Sequence, residues 1–308
     1  MQPTPLQPAP PGLSTRQGVF LKREDVHELG AFKWRGALPV LQEHARRGAA
    51  AVVTASTGNH GAATAWAAGR CGLRAVVYAP AAASRRKVEH IGRLGAELRL
   101  VGADLDEAKD EARAWADESG LPFFEDGAEP AQLDGYGQIA SELLEQLDEA
   151  PGAVVVPVGN GALLAGIGRT LGERSPPTLR VGVVASEAPV MAESWRAGQP
   201  VTSDRCATFA DGLAVRVAIP FAVEALAEAA DRMLAVSERE LALAVGAFDA
   251  AGVRVEGGAA AGLAALPQLE DVDGPAVLIV TGRNIDDELH LRAVRDPGSF
   301  PASGRMRA

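Results

Sequence analysis

Lys33 stands in the run Ala31-Phe32-Lys33-Trp34-Arg35-Gly36, an amine flanked by two aromatic rings. Ser56-Thr57-Gly58-Asn59-His60-Gly61 closes one apolar run, Gly159-Asn160-Gly161-Ala162-Leu163 closes a second, and Thr281-Gly282-Arg283-Asn284 closes a third. Desolvation favours the neutral form of a lysine, and a neutral amine adds to a carbonyl to give a Schiff base. A glycine loop at the start of a helix offers backbone N–H groups to a phosphate. Hydroxyl and amide groups at strand ends add directed hydrogen bonds. Together these residues suit an aldehyde cofactor that carries a phosphate, and pyridoxal phosphate has that chemistry.

The elements that must position these groups follow from hydrophobic periodicity. Val19 to Lys22 reads as a short strand after an extended lead-in from Pro3 to Gly12. Lys33 to Arg47 has helical spacing, with Trp34, Leu38, Leu41 and Ala45 on one face and Gly48 as the stop. From Ala50 onward, short apolar runs alternate with helical patterns. Strands are expected at 51–54, 75–78, 97–101, 153–158, 179–185 and 276–280, with Leu121 to Phe124 completing the first set. Helices are expected at 62–70, 85–94, 105–119, 132–147, 162–170, 221–229, 238–251 and 258–266. Such alternation predicts an α/β fold with doubly wound parallel sheets. Ligands of open α/β sheets bind at the carboxyl ends of strands, where all three strand-end motifs fall. The residues from Asp296 on have little apolar content and are expected to fray.

Each motif alone has a plainer reading. Gly159 to Leu163 also suits a tight strand-to-helix turn. It is neither the dinucleotide fingerprint nor the phosphate loop ending in Gly-Lys-Ser/Thr. Ser56 or Thr57 also suits a helix N-cap, which uses the same orphan amide groups that would bind a carboxylate. No Gly-x-Ser-x-Gly elbow points to a serine hydrolase.

Bulk properties narrow the field. The chain has 308 residues, 47% hydrophobic and 23% charged, with a net charge of -10. That charge and the lack of a basic stripe argue against nucleic acid. No apolar run approaches the ~20 residues of a membrane-spanning helix. Two isolated cysteines, Cys71 and Cys206, imply neither a disulfide framework nor a metal site, and they suit a reducing cytoplasm.

Further segments carry a family resemblance over nearly the whole chain. They are Thr4-Pro5-Leu6, Leu21-Lys22-Arg23-Glu24-Asp25, Gly137-Gln138-Ile139 with Glu142, Ser186-Glu187-Ala188-Pro189, Ala210-Asp211-Gly212 and Val255-Glu256. With the lysine, asparagine and glycine segments, the chain resembles the fold-type II pyridoxal phosphate enzymes, and within them the threonine/serine ammonia-lyase (dehydratase) group. The resemblance implies a tryptophan synthase β-like fold of two doubly wound parallel-sheet domains, with the cofactor in the cleft between them. Residues 1–47 and 129–308 would form the large cofactor-binding domain and 48–128 the small one. It implies that Lys33 holds the cofactor as a Schiff base and shuttles the α-proton. Phe32 would pack against the ring, and Asn59 would bond its 3-hydroxyl. Gly159, Asn160, Gly161, Ala162 and Leu163 would cradle the phosphate. Thr281 would face the pyridine nitrogen. Ser56, Thr57, Gly58 and His60 would surround the substrate carboxylate. A homodimer is also implied, and no metal is expected, since Glu187 and Asp211 do not secure a site.

A hydroxyl such as Thr281 does not force the pyridine nitrogen to stay protonated, so β-elimination is favoured over transamination. The expected reaction is therefore removal of water and ammonia from L-threonine or L-serine. A β-replacement or threonine synthase-like reaction is the alternative. A racemase fits less well, because Thr57 stands where racemases of this fold carry a serine base. A non-catalytic ligand-binding relative would not be expected to keep Lys33 and Asn59. The departures from the pattern are Ala31, Asn160, Ala162, Gly257 and Arg283, together with a shortened leading helix. They bear on the exact substrate and not on the cofactor.

Overall fold

The computed structural model describes residues 2–203 and 206–302. The chain divides into two compact units, residues 1–31 with 136–308, and residues 32–135. The described strands are β1 (Leu6–Pro8), β2 (Val19–Arg23), β3 (Ala51–Ala55), β4 (Arg74–Ala79), β5 (Glu97–Leu100), β6 (Ala153–Pro157), β7 (Leu179–Ala185), β8 (Arg232–Val236) and β9 (Ala276–Val280).

The larger unit holds a sheet in the order β1-β2-β9-β6-β7-β8. Only β1 runs antiparallel to its neighbour, with Leu6 opposite Lys22. Every residue of β6 and β9 is buried. Runs apolar on both faces are what a parallel sheet covered by helices requires. Charged side chains also lie within this core. Lys22 is fully buried, and its Nζ donates to Glu142 Oε2 at 2.7 Å, to the Thr4 carbonyl at 2.7 Å and to Gln146 Oε1 at 3.0 Å. A buried ammonium is tolerated only when all its donors are used, as here.

The smaller unit holds the parallel sheet β3-β4-β5. Residues 122–124 extend it beside β3, because Val53 N–H donates to the Pro122 carbonyl and Phe124 N–H to the Val53 carbonyl. Helix Leu105–Ser119 packs Ala112 and Ala116 against Val53, Val76 and Tyr78. Helix Trp34–Arg46 contains Pro39, which has no N–H to offer the Arg35 carbonyl four residues back. Gly135 closes on that carbonyl so tightly that a Cβ would sit 2.0 Å from the oxygen.

Several elements escaped the sequence pattern. The lead-in contains β1. The strand β8 and the helices Val190–Ala197 and Asp287–Arg295 were not expected. Residues 296–302 do not fray: Phe300 is buried, with its ring 4.7 Å from that of Phe209. The rest of that expectation, 303–308, lies outside the described residues. Among the described residues, no helix is long and apolar enough to cross a membrane.

Candidate active site

In the smaller unit, Lys33 immediately precedes helix Trp34–Arg46. Trp34 meets Trp66 of helix Asn59–Cys71 edge-on at 6.2 Å, which fixes these two helices against each other. The Lys33 Nζ lies 5.0 Å from the Phe32 ring centroid, so the expected aromatic neighbour is present. The setting is not wholly apolar, however. The same nitrogen donates to Asp126 Oδ2 at 2.6 Å, and both side chains are mostly buried. The other carboxylate oxygen, Oδ1, accepts from Gln132 Nε2 at 2.7 Å, and Gln132 Oε1 accepts the Gly127 N–H at 2.7 Å.

His60 completes this cluster. Its Nδ1 lies 3.7 Å from Asp126 Oδ1, and its Nε2 lies 3.0 Å from Thr54 Oγ1 and 3.4 Å from the Phe124 carbonyl oxygen. Burial raises the Asp126 carboxyl, but the Lys33 ammonium, His60 and the hydrogen bonds from Lys33 and Gln132 outweigh it and hold it well below the usual range. Burial pushes the His60 imidazole down, and the nearby Asp126 carboxylate only partly opposes that.

The expected asparagine loop is partly helix. Helix Asn59–Cys71 begins at Asn59, three residues earlier than its spacing predicts, with Gly58 at the N-cap. Neither Ser56 nor Thr57 caps it: the Ser56 hydroxyl instead accepts the Gly58 N–H at 3.1 Å. Gly58 has no side chain with which to cap the first turn, and a helix start of this kind favours an anion.

In the larger unit, β6 leads through Gly159 and Asn160 to Gly161, the N-cap of helix Ala162–Arg174. Gly161 has φ +93, where a side chain is strained, and a Cβ would sit 2.6 Å from Leu226 Cδ1. The Asn160 Oδ1 accepts the Ala162 N–H at 3.2 Å, so the asparagine shapes the turn that glycine would otherwise make. Within a helix, the amides of Leu163 and Leu164 have no carbonyl four residues back to bond. Thr281 is buried immediately after β9. Gly159 approaches Gly212, Gly212 approaches Glu256, and Glu256 lies against Gly282, so the loop and Thr281 are linked through one set of close contacts. The backbone donors, the absence of room for side chains and the first-turn amides fit a phosphate-bearing cofactor. Arg283 is exposed, and its guanidinium reaches the His27 carbonyl at 3.5 Å.

Residues 1–282 match the family described as pyridoxal-phosphate dependent enzyme. The chain belongs to that family. Its cofactor is pyridoxal phosphate, and its fold is the fold-type II α/β architecture of the threonine dehydratase group. The L-threonine ammonia-lyase of Thermotoga maritima is 34% identical over 274 residues, covering 87% of this chain and 67% of that protein. The processed threonine deaminase isoform 2 of Solanum lycopersicum superposes with a TM-score of 0.90 at 29% identity, covering 97% of this chain and 89% of that one. A fungal L-serine ammonia-lyase from Rhizomucor miehei gives a TM-score of 0.87 at 26% identity, covering 97% and 99% of the two chains.

Asp126 and Gln132 were not among the residues expected at the site. Their signal was positional. Asp126 follows Phe124 and Glu125 at the end of the extended segment beside β3, where the strand-end rule places ligands.

The histidines give a prediction for stability. Burial lowers the pKa of His44, His60, His90 and His290. The unfolded chain therefore binds protons that the folded chain disfavours. Stability holds above the ordinary histidine value of about 6.5 and falls as pH drops below it. Carboxyls lowered in the fold, Asp126, Glu125 and Asp231, add their loss only below about pH 4. The melting temperature should fall between about pH 7 and pH 5.5. A flat profile over that interval would contradict the assignment.

Proposed function

We propose that this enzyme is an ammonia-lyase (dehydratase) acting on a small β-hydroxy amino acid, L-threonine or L-serine. The observation that carries the reading is its likeness, over 87% of its length, to an enzyme named L-threonine ammonia-lyase. The geometry within each unit supports it.

Pyridoxal phosphate, when bound through Lys33, supplies an electron sink for the charge that develops at the substrate α-carbon. Lys33 Nζ would hold the cofactor and would take the substrate's α-proton. Phe32 offers its ring face, and Asn59 offers its amide. The backbone of Gly159, Asn160, Gly161, Ala162 and Leu163 would cradle the phosphate. Thr281 would offer a hydroxyl rather than a carboxylate to the pyridine nitrogen. The substrate carboxylate is received at the uncapped helix start by Ser56, Thr57, Gly58 and the amide of His60. The His60 ring is committed to Thr54, Phe124 and Asp126, so it acts from behind the site. The β-hydroxyl leaves as water, and water returns to release ammonia. One amino acid thus gives one 2-oxo acid and one ammonia. A homodimer in the cytoplasm is the setting that fits, supported by the family resemblance and by two unpaired cysteines.

Holoenzyme incubated with L-threonine or L-serine should release 2-oxo acid and ammonia in equal amounts, unchanged by added thiol. A new amino acid formed only with thiol would replace this reading by β-replacement. Absence of both products would reject it.

A further inference from the structure

We infer that Asp126 is a further catalytic residue, the counterion that binds and aims Lys33 Nζ whenever that nitrogen is free of cofactor. This rests on the reading that Lys33 is the cofactor-bearing lysine. The steps above assign Asp126 no task, yet it is the group in direct contact with the reacting nitrogen, at 2.6 Å. A charge-assisted hydrogen bond of that length is a strong, directed contact.

The surroundings hold the carboxylate in place. Gln132 is fully buried and fixed by the Gly127 N–H, and its amide donates to Oδ1. The Thr54 hydroxyl donates to the Phe124 carbonyl at 2.8 Å, so the hydroxyl oxygen accepts from His60 Nε2–H, and the unprotonated Nδ1, 3.7 Å from Oδ1, is not a donor to the carboxylate. The charged neighbours do not compete for Lys33. Glu125 pairs with Lys109 and Arg113, and the Arg35 guanidinium lies 4.6 Å over the Trp34 ring. The result is one ammonium and one carboxylate, bound to each other.

That pairing bears on both proton steps of Lys33. To join the aldehyde, the ammonium must first lose a proton. The C–N bond then forms, the carbonyl C–O bond breaks and water leaves. Asp126 retards this step by favouring the ammonium. In turnover the direction reverses. Lys33 takes the α-proton while the C–H electron pair stays with the substrate, and the new ammonium forms beside a carboxylate already aimed at it. Asp126 thereby stabilises the positive charge as it forms. It does not take the proton itself.

The test is cofactor uptake by the full chain, stripped of cofactor and mixed with pyridoxal phosphate across roughly pH 6 to 10, followed by absorbance. In Asp126→Asn, the uptake profile should move toward acid by about one to three pH units, the range expected for removing an opposite charge at this distance. The loaded variant should also show a larger kinetic isotope effect with α-deuterated substrate. Gln132→Ala, which leaves both charges in place but frees the carboxylate, should move the profile in the same direction by less. It carries the test if Asp126→Asn does not fold. Glu125→Gln should leave the profile where it is. An uptake profile for Asp126→Asn that overlays the wild type, or one for Gln132→Ala alone if only that variant folds, would overturn the inference. Failure of the underlying reading looks different: Lys33→Ala would then take up the cofactor band as the wild type does.

Discussion

Lys33→Ala should yield a folded protein that forms no covalent link to pyridoxal phosphate and has lost at least about 10⁴-fold in kcat, the upper end of a general acid–base contribution. The amine is needed twice, as the nucleophile that holds the cofactor and as the base for the α-proton, so no neighbouring group can replace it. His60 Nε2 is spent on Thr54 and the Phe124 carbonyl, and a carboxylate such as Asp126 is a far weaker base than an amine. The effect on folding is far smaller. Removing the ammonium leaves the Asp126 carboxylate without its 2.6 Å partner, but Gln132 still donates to it and its side chain remains 25% exposed. A carboxylate that water reaches is not left as an uncompensated buried charge, so the cost should be about 1–3 kcal/mol, below the 3–5 kcal/mol of a fully buried broken pair. The combination discriminates between roles: a structural lysine would lose stability and keep activity. Loss of the visible band, loss of the modified peptide after reduction and a modest fall in melting temperature are the expected results. Wild-type turnover in the variant would remove the lysine from the mechanism.

The elements legible in the sequence are those whose burial is complete. β6 and β9 are apolar at every position because helices cover both faces of their sheet, and such runs stand out from composition alone. β8 was missed because it lies at the sheet edge. Arg232, Leu234 and Ala235 are only partly buried there, and the run has neither a continuous apolar stretch nor a clean alternation. The helix Asp287–Arg295 did carry its own signals: Asp286 as N-cap, acids in the first turn and arginines in the last. Its buried side is small, with His290 and Ala293 fully covered, so the hydrophobic period was weak.

The site divides in the same way. Lys33, the asparagine segment and the glycine loop are local patterns whose residue types state their chemistry. Asp126 is not local. It lies 93 residues from Lys33 and is brought to it by the fold, through the backbone bonds that align residues 122–124 with β3. A lone Asp before a glycine reads as a turn. Its pairing with Lys33 changes the expectation for that lysine: the sequence gives two aromatic neighbours and an amine favoured as neutral, and the fold supplies an anion.

Gly159→Ala should produce the second large effect, on cofactor affinity. A Cβ at this position would sit 2.2 Å from the Gly212 carbonyl oxygen and 3.3 Å from its carbonyl carbon. Both are backbone atoms, so no rotamer change relieves the clash. Either the 158–161 turn or the Asp211–Leu213 turn must shift. Gly212 in turn faces Glu256, whose carboxylate is so close to Gly282 that a Cβ there would meet Oε1 at 2.7 Å. A displacement starting at the phosphate loop is thus passed toward Thr281, and both ends of the proposed cofactor site in this unit lose their positions together. Overpacking of this kind costs about 1–3 kcal/mol in stability, and a shift near 1 Å in a positioning element costs on the order of 10²-fold in function. Cofactor affinity measured by titration of the stripped enzyme should weaken by more than about tenfold, with a lower melting temperature. Gly69→Ala is the comparison. That position is inside helix Asn59–Cys71, with nothing within 4 Å of an added Cβ, so it should raise stability by about 0.5–1 kcal/mol and leave the affinity alone. If Gly159→Ala binds the cofactor as tightly as the wild type, the 159–163 backbone does not hold the phosphate, whatever happens to the melting temperature.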